Sequence, residues 1–148
     1  MLDMAAFTRA HRAAAIDMTQ TYLVMTNPNI ERRVRRQGNG AETLYFYTEK
    51  HLMPDGEKWD TERPISKKQY EKYLLERDTA LSPVHKTKYR FIFADRRCEI
   101  DVYPFSVEKA VLFQYGGEAP LPEEITVLEE VTAQPAYKNR ALAASQKL

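Results

Sequence analysis

The stretch IERRVRRQGNGAETLYFYTEK, residues 30–50, contains two strand-like runs separated by the turn residues Gly38 to Gly40. The preceding run AIDMTQTYLVM, residues 15–25, has the same character and ends at the turn signal TNPN. Short turns between consecutive strands are typical of antiparallel pairing. The first part of the chain therefore predicts a three-stranded antiparallel meander.

Further strand candidates follow from Trp59 onward. WDTERPI is a short extended run, and KTKYRFIFA with RCEIDVYPF predicts a hairpin around a tight turn at Asp95 and Arg96. The apolar run AVLFQY follows, and EEITVLEEVT near the end also has extended character. The chain thus has about six to eight strands, most of them antiparallel.

The N-terminal segment AAFTRAHRAAA favours a helix because it is rich in alanine and places Arg9 and Arg12 at helical spacing. The strand pattern begins just after it. We therefore treat residues 1–14 as an N-terminal helical arm and residues 15–148 as a single domain.

Two more helices are predicted from their end signals. Ser66 and Gln69 have the spacing of a capping box, which places a helix at about Lys67 to Arg77. The C-terminal segment PAYKNRALAASQKL has Pro135 near a first helical turn. The predicted fold class is α+β, and an antiparallel barrel is expected because closure removes exposed strand edges.

Composition limits the classes of function. The 148 residues are 43% hydrophobic, which suits one packed core, and 22 basic against 21 acidic residues give a net charge of only +1. A nucleic-acid coat protein would carry a stronger positive field, so anion binding must be local. Cys98 is the only cysteine, which excludes an internal disulfide and favours a cytoplasmic location. No segment has the pattern of a signal peptide or a membrane span.

The arginine cluster on the second strand divides by parity. Because side chains alternate across a strand, Arg33 and Arg35 share one face, while Arg32, Val34 and Arg36 share the other. We expect Arg33 and Arg35 to bind anions and Arg32 and Arg36 to face solvent.

The same parity groups charges on later strands, where the opposite face is apolar or mixed. The groups are Lys86, Lys88 and Arg90; Glu99, Asp101 and Tyr103; and Asp60 with Glu62. These charged faces either lie in solvent or line the interior of a barrel, where a phosphate chain would relieve the repulsion between cations.

The order of these segments resembles the CYTH superfamily, the triphosphate tunnel metalloenzymes. The similar segments are QTYL, ERRVRRQG, a strand ending in Lys50, WDTERPISKKQY, HKTKYRF, CEIDVY, EEVT and YKNRALA, within about residues 20–143. The resemblance implies an antiparallel barrel whose tunnel is lined with charges. It also implies hydrolysis of inorganic or thiamine triphosphate, or cyclisation of ATP; we expect a phosphohydrolase rather than an adenylate cyclase.

Transferred position by position, the resemblance implies a set of site residues. The implied phosphate ligands are Arg33, Arg35, Lys50, Lys86, Lys88 and Lys138, with Asn139 beside the last. The implied catalytic and metal-binding carboxylates are Glu62 and Asp101, with Asp60 and Glu99 as further metal ligands. The implied cofactor is Mg²⁺ or Mn²⁺.

The sequence departs from the family pattern on two strands that supply metal ligands. The first-strand signature E-x-E-x-K is absent, and IDMTQ retains only Asp17. Gln114 and Gly116 stand where the pattern V-E-V-E would place carboxylates. Magnesium is often held by one or two carboxylates plus substrate phosphates, so coordination through the remaining acidic residues is still expected.

Several other residues have ordinary structural interpretations beside their functional ones. His85 is a candidate general base, but a single histidine is usually structural, and His11 and His51 lack metal-ligand spacing in a helix and a loop. Cys98 is expected to be a small buried hydrophobe. Trp59 and the strand tyrosines Tyr45, Tyr47, Tyr89 and Tyr103 could stack a base, although strand aromatics usually serve packing.

Three classes of function stay open at this point. The first is a metal-dependent phosphohydrolase that acts on inorganic triphosphate or on a nucleoside or other organic triphosphate. The second is a non-catalytic module that binds polyphosphate, a nucleotide or a phosphoinositide headgroup. The third is a nucleic-acid binder, which would show a steep salt dependence on duplexes. A homodimer or an ATPase partner is compatible with the first two classes.

Overall fold

The computed structural model describes residues 3–38, 40–104, 110–114 and 120–125. Its helices are α1 (Met4–His11) and α2 (Lys67–Leu74), and a 3₁₀ turn spans Gly40–Glu42. Its strands are β1 (Ala14–Tyr22), β2 (Ile30–Gln37), β3 (Leu44–Leu52), β4 (Lys58–Ile65), β5 (Val84–Phe93), β6 (Arg96–Val102) and β7 (Ala110–Gln114).

The chain divides into two compact units. Unit 1 comprises Met1–Asp17 and Lys86–Tyr137, and unit 2 comprises Met18–His85 and Lys138–Leu148. Unit 1 holds α1, β6, β7 and most of β5, whereas unit 2 holds α2, β2, β3, β4 and the second half of β1.

In unit 2 the strands β1, β2, β3 and β4 pair antiparallel in chain order, which confirms the predicted meander and adds a fourth strand. Helix α2 packs on one face of this sheet. The buried cluster there consists of Leu23, Val34, Tyr47, Ile65 and Tyr70. Burial of these apolar side chains is the main stabilising contribution to unit 2.

The predicted start of α2 is confirmed in detail. The Ser66 hydroxyl accepts the Gln69 N–H at 3.1 Å, and the Gln69 side chain accepts the Ser66 N–H at 2.9 Å, which completes the capping box. The helix ends at Leu74, three residues before the predicted end. Beyond it the Glu76 carbonyl accepts the Val24 N–H at 2.9 Å, so the chain is held by a backbone contact with the end of β1.

In unit 1 the hairpin of β5 and β6 is confirmed, and β7 pairs antiparallel with β6. The tight turn lies at Ala94 and Asp95, one residue earlier than predicted. Both residues have positive φ, 50° and 58°, as a two-residue type I′ turn requires, and Phe93 pairs with Arg96. A two-residue turn at these positions fixes the pairing register of the hairpin.

Helix α1 confirms the N-terminal helix, and it is packed on the hairpin. The Asp3 carboxylate caps it by accepting the N–H groups of Ala5 and Ala6 at 3.0 and 3.1 Å. Phe7 is buried in a cluster with Phe91, Cys98 and Ile100. The boundary between residues 1–14 and 15–148 stays a prediction.

The architecture of the described residues is α+β with antiparallel strands, as predicted. Within the same residues, neither helix has the length and apolar character needed to cross a membrane. The predicted C-terminal helix and most of the predicted strand EEITVLEEVT lie outside the described residues.

Candidate functional site

Each unit has one apolar face and one ionic face, because every strand alternates its side chains. In unit 2 the apolar face packs on α2, and we call the opposite face the ionic face of unit 2. It consists of Gln20, Glu31, Arg33, Arg35, Phe46, Thr48, Lys50, Asp60 and Glu62. Gln20 and Thr48 are buried although they are polar. These two side chains of the face are therefore shielded from solvent.

Arg35 and Glu62 form the central ion pair of this face. Arg35 Nη1 lies 3.0 Å from Glu62 Oε1, and the Thr48 hydroxyl donates to the same oxygen at 3.1 Å. The Arg35 guanidinium also lies over the Phe46 ring, 4.7 Å from its centroid. Because Arg35 and Glu62 are each held by a second contact, their geometry is fixed before any ligand binds.

Arg33 occupies the next position on the face. In the strand register it lies between Tyr22 of β1 and Thr48 of β3. Its Nε atom is buried and has no hydrogen-bond partner among the residues that the structure describes. A buried guanidinium N–H without an acceptor is costly unless an anion satisfies it. Arg33 is therefore well suited to a phosphate oxygen.

Lys50 lies in a row of alternating charge. In the strand register its neighbours are Glu31 of β2 and Asp60 of β4. Cross-strand pairs of opposite charge on one face attract each other. The predicted residues Arg33, Arg35, Lys50, Asp60 and Glu62 thus share one face of unit 2.

Unit 1 has an ionic face on the side of the β5–β6 hairpin that is opposite α1. We call Lys86, Lys88, Arg90, Glu99 and Asp101 the ionic ladder of unit 1. Lys86 Nζ donates to Asp101 Oδ2 at 2.7 Å, and Lys88 Nζ pairs with Glu99. Two longer pairs at 3.6 Å join Lys88 to Asp101 and Arg90 to Glu99.

The ladder is deeply buried at its centre. Lys86 is 6% exposed and Asp101 is 1% exposed. Charges in such a position must be paired, because removing either partner leaves an uncompensated ion. Asp101 Oδ1 is buried and accepts no hydrogen bond from the described residues. The Lys88 ammonium lies 3.6 Å from this oxygen.

The carboxylates of both faces are the candidate ligands for a metal ion. The described parts of the chain bring together no group of three or more His, Cys, Asp or Glu side chains that could hold a metal ion. Unit 1 offers the carboxylates of Glu99 and Asp101, and unit 2 offers Glu62 with Asp60 in the neighbouring row. A magnesium ion at either pair would need further oxygen ligands, such as those of phosphate groups.

The expectation that Arg32 faces solvent is wrong. Its side chain is 13% exposed and donates to the Tyr47 hydroxyl at 3.1 Å, the Val24 carbonyl at 3.1 Å and Glu76 at 3.1 Å. Burial lowers its pKa, but the hydrogen bonds to Tyr47 and Glu76 outweigh that effect and raise it. Strand parity predicted the face of Arg32 correctly, but α2 and the segment after it cover that face. Arg36 is exposed, as expected.

The histidines occupy structural positions. His85 Nδ1 lies 3.0 Å from the Thr19 hydroxyl. His51 lies on β3 rather than in a loop, stacked on Trp59 with ring centroids 4.2 Å apart, and its Nε2 atom lies 2.9 Å from Glu49. These contacts support the structural interpretation of both residues.

Cys98 and the strand tyrosines also have packing roles. Cys98 is fully buried, and burial raises the pKa of its thiol, so the expectation of a small buried hydrophobe is confirmed. Tyr45 contacts Tyr70, and Tyr47 stacks on Tyr73 at 4.7 Å. These rings bind the sheet of unit 2 to α2.

Four members of the ionic face of unit 2 were not predicted from the sequence: Gln20, Glu31, Phe46 and Thr48. Their strand parity was readable, but their neighbours depend on the register, in which Arg35 lies between Gln20 and Phe46. An uncharged residue is recognised as part of such a face only once this register is known. Gln114 lies on β7 opposite Cys98, and Gly116, Lys138 and Asn139 fall outside the described residues.

Comparisons with known proteins agree with this architecture. No family model and no curated protein matches the chain. Among solved structures, it is similar to the crystal structure of the inorganic triphosphatase NE1496, with 28% identity and a TM-score of 0.61. The similarity covers 89% of this chain and 84% of that one.

A second crystal structure, of the hypothetical protein NE1496, gives the same identity and TM-score and is covered over 87% of its length. The two matches agree in identity, TM-score and the share of this chain that they cover. The chain therefore has a fold similar to that of an inorganic triphosphatase.

Proposed function

We propose that the chain is a CYTH-like triphosphatase that binds inorganic triphosphate, or an organic triphosphate, and hydrolyses it. The observation that supports this most strongly is that the partly buried residues Arg33 and Arg35 share the ionic face of unit 2. A guanidinium matches phosphate oxygens with two parallel donors, and each charge-assisted hydrogen bond contributes about 1.5 to 3 kcal/mol. The fold similarity to an inorganic triphosphatase supports triphosphate among the possible polyanions.

In this proposal the residues of each face have distinct roles. Arg33, Arg35 and Lys50 bind phosphate oxygens in unit 2, and Lys86 and Lys88 do so in unit 1. Lys138 is a further proposed ligand. Thr48 holds Glu62 in position through its hydroxyl.

The proposed cofactor is Mg²⁺ or Mn²⁺, which would neutralise charge that develops on the phosphate groups during hydrolysis. Glu62 and Asp60 would hold it in unit 2, and Glu99 and Asp101 in unit 1. We further propose a cytoplasmic location; a homodimer or an ATPase partner is compatible with the same function.

The test measures phosphate release from inorganic triphosphate, ATP and thiamine triphosphate with and without Mg²⁺ or Mn²⁺. Release should depend on metal and should be lost in Glu62→Gln, while binding followed by thermal shift is retained. Glu76→Gln is the matched control, since Glu76 also pairs with an arginine, Arg32, at 3.1 Å on the opposite face. Unchanged turnover in Glu62→Gln would refute the catalytic assignment.

Arginine variants test the binding face itself. Arg33→Ala should lose most of the affinity for triphosphate, because its buried Nε has no other acceptor among the described residues. Arg36→Ala, which removes an exposed arginine three residues further along β2 on the opposite face, should change affinity little. Equal losses in the two variants would mean that this face is not the binding site.

A second candidate is a non-catalytic polyphosphate-, nucleotide- or phosphoinositide-binding module. Two observations favour it: the described residues contain no group of three metal-ligating side chains, and IDMTQ lacks the E-x-E-x-K signature. Such a module would be stabilised by triphosphate in the thermal-shift experiment without releasing phosphate.

A further inference from the structure

The carboxylates at the centre of both ionic faces are already paired with cations of their own unit. Glu62 pairs with Arg35 at 3.0 Å, and Asp101 pairs with Lys86 at 2.7 Å. Glu99 pairs with Lys88 in the same ladder. A divalent cation that approached any of these carboxylates would therefore meet a positive charge already in place.

The same pairing affects anions. A phosphate group that binds Arg35 must compete with Glu62, which occupies one of the guanidinium donors. A phosphate group that binds alone is therefore repelled by the Glu62 carboxylate, and a divalent cation that binds alone is repelled by Arg35. If they bind together, each opposing group gains a new partner.

We propose that polyphosphate and divalent cation bind cooperatively by exchange of ion pairs. In unit 2, phosphate oxygens replace Glu62 as the partner of Arg35, and the released Glu62 becomes available to the cation. In unit 1, the equivalent exchange moves Lys86 and Lys88 to phosphate and releases Asp101 and Glu99. The inference rests on the proposed function and adds one expectation to it. The divalent cation should bind weakly when triphosphate is absent.

The exchange predicts that loss of a carboxylate strengthens binding of the anion. Without metal, Glu62→Gln should bind inorganic triphosphate about tenfold more tightly than the wild type, because the neutral amide competes poorly for Arg35. With Mg²⁺ in excess, the wild type should gain affinity, whereas the variant should gain little. If Glu62 were only a metal ligand and did not compete for Arg35, Glu62→Gln would leave the affinity for triphosphate in the absence of metal unchanged.

The experiment is a calorimetric titration of the full chain with inorganic triphosphate in EDTA, in Mg²⁺, and with Mg²⁺ as the only ligand. Glu62→Gln is the test variant because its side chain is 41% exposed, which makes the substitution tolerable for folding. Glu76→Gln changes the net charge equally at the Arg32 pair and should behave as the wild type.

A double-mutant cycle isolates the pair. In an Arg35→Gln background, Glu62→Gln should no longer improve metal-free binding, since the cation that the carboxylate occupies is gone. An equal improvement in both backgrounds would overturn the exchange and indicate a general charge effect. Wild-type affinity for Mg²⁺ alone that equals its affinity in the presence of triphosphate would also overturn it.

The outcomes separate this inference from the proposed function. If the wild type binds triphosphate and Glu62→Gln binds it equally or less tightly in EDTA, the exchange fails and triphosphate binding stands. If the wild type binds no triphosphate in either buffer, both fail together.

Discussion

Unit 1 and unit 2 place a helix against one face of antiparallel strands and charged residues on the opposite face, but the charges are balanced differently. In unit 1, Lys86 and Lys88 are matched by Asp101 and Glu99, and the centre of the ladder is buried. In unit 2, Arg33 and Arg35 share a face whose central carboxylate, Glu62, is partly exposed.

This difference bears on what each face can do. A matched, buried ladder is costly to open, because both members of each pair lose their partner. An arginine face with a buried donor that lacks an acceptor among the described residues is improved by an added anion. Unit 2 is therefore the better candidate for the first contact with phosphate, and the exchange of ion pairs in unit 1 requires opening a more costly set of pairs.

The largest expected effect is on stability when the central carboxylate of each face is neutralised. Asp101→Asn should lower the free energy of unfolding by about 3 to 5 kcal/mol, because it leaves the Lys86 ammonium buried without a counter-charge. Glu62→Gln should cost about 0 to 1 kcal/mol, since that pair is reached by solvent. Urea unfolding followed by circular dichroism measures both values.

Equal losses of stability in Asp101→Asn and Glu62→Gln would contradict the proposed difference between the two faces. If both variants lose the same amount, the two faces do not differ in the way their charges are compensated. The double change Lys86→Met with Asp101→Leu is the control, because removing both charges together should recover much of the loss.

Turn geometry gives a second contrast between the units, with a smaller effect. Gly38 of unit 2 has φ of 94°, and a Cβ there would lie 2.7 Å from the Glu42 carbonyl oxygen. Asp95 of unit 1 has a positive φ without being glycine. Gly38→Ala should cost about 1 to 2 kcal/mol, and Asp95→Gly should add about 0.5 kcal/mol.

Thermal unfolding measures both changes, and Asp95→Ala is the control. It removes the carboxylate but keeps the Cβ, so it should not stabilise the turn. If it stabilises as much as Asp95→Gly, the carboxylate rather than the backbone conformation is responsible.

The strand-level features could be predicted from the sequence because they depend on neighbours close in the chain. Parity placed Arg33 and Arg35 on one face, and the spacing of Ser66 and Gln69 gave the start of α2. The solvent exposure of Arg32 could not be predicted in this way. Its partner Glu76 lies 44 residues away, after a helix whose packing face depends on tertiary contacts.

The pairing within each face was likewise not readable from the sequence. Arg35 lies opposite Gln20 and Phe46 in the register but pairs diagonally with Glu62 on β4. Such a contact depends on two registers at once, and each register depends on the length and conformation of a turn. The turn at Ala94 and Asp95 lies one residue earlier than predicted, and an error of one residue in a turn is enough to change the pairing register.

The smallest expected effect concerns pH and the apolar face of unit 2, which has a buried polar contact of its own. The pKa of Glu49 is lowered, first by the hydrogen bond that the Tyr47 hydroxyl donates at 2.7 Å and then by the contact with His51. A lowered folded-state pKa stabilises the fold above the unfolded pKa of glutamate, and this contribution is lost as pH falls through the folded value.

Tyr47→Phe removes that donor, so the variant should be less stable than the wild type at pH 5 and closer to it near pH 3. The gap should narrow by only a few tenths of a kcal/mol, because the Glu49 side chain is partly exposed and screened by solvent. Urea unfolding at several pH values measures the gap. Tyr73→Phe is the matched control, since Tyr73 stacks on Tyr47 and its hydroxyl accepts from Arg63. A gap for Tyr47→Phe that stays constant down to pH 3 would assign the lowered pKa of Glu49 to His51 instead, and unit 2 would then have no acid-sensitive contact that depends on Tyr47.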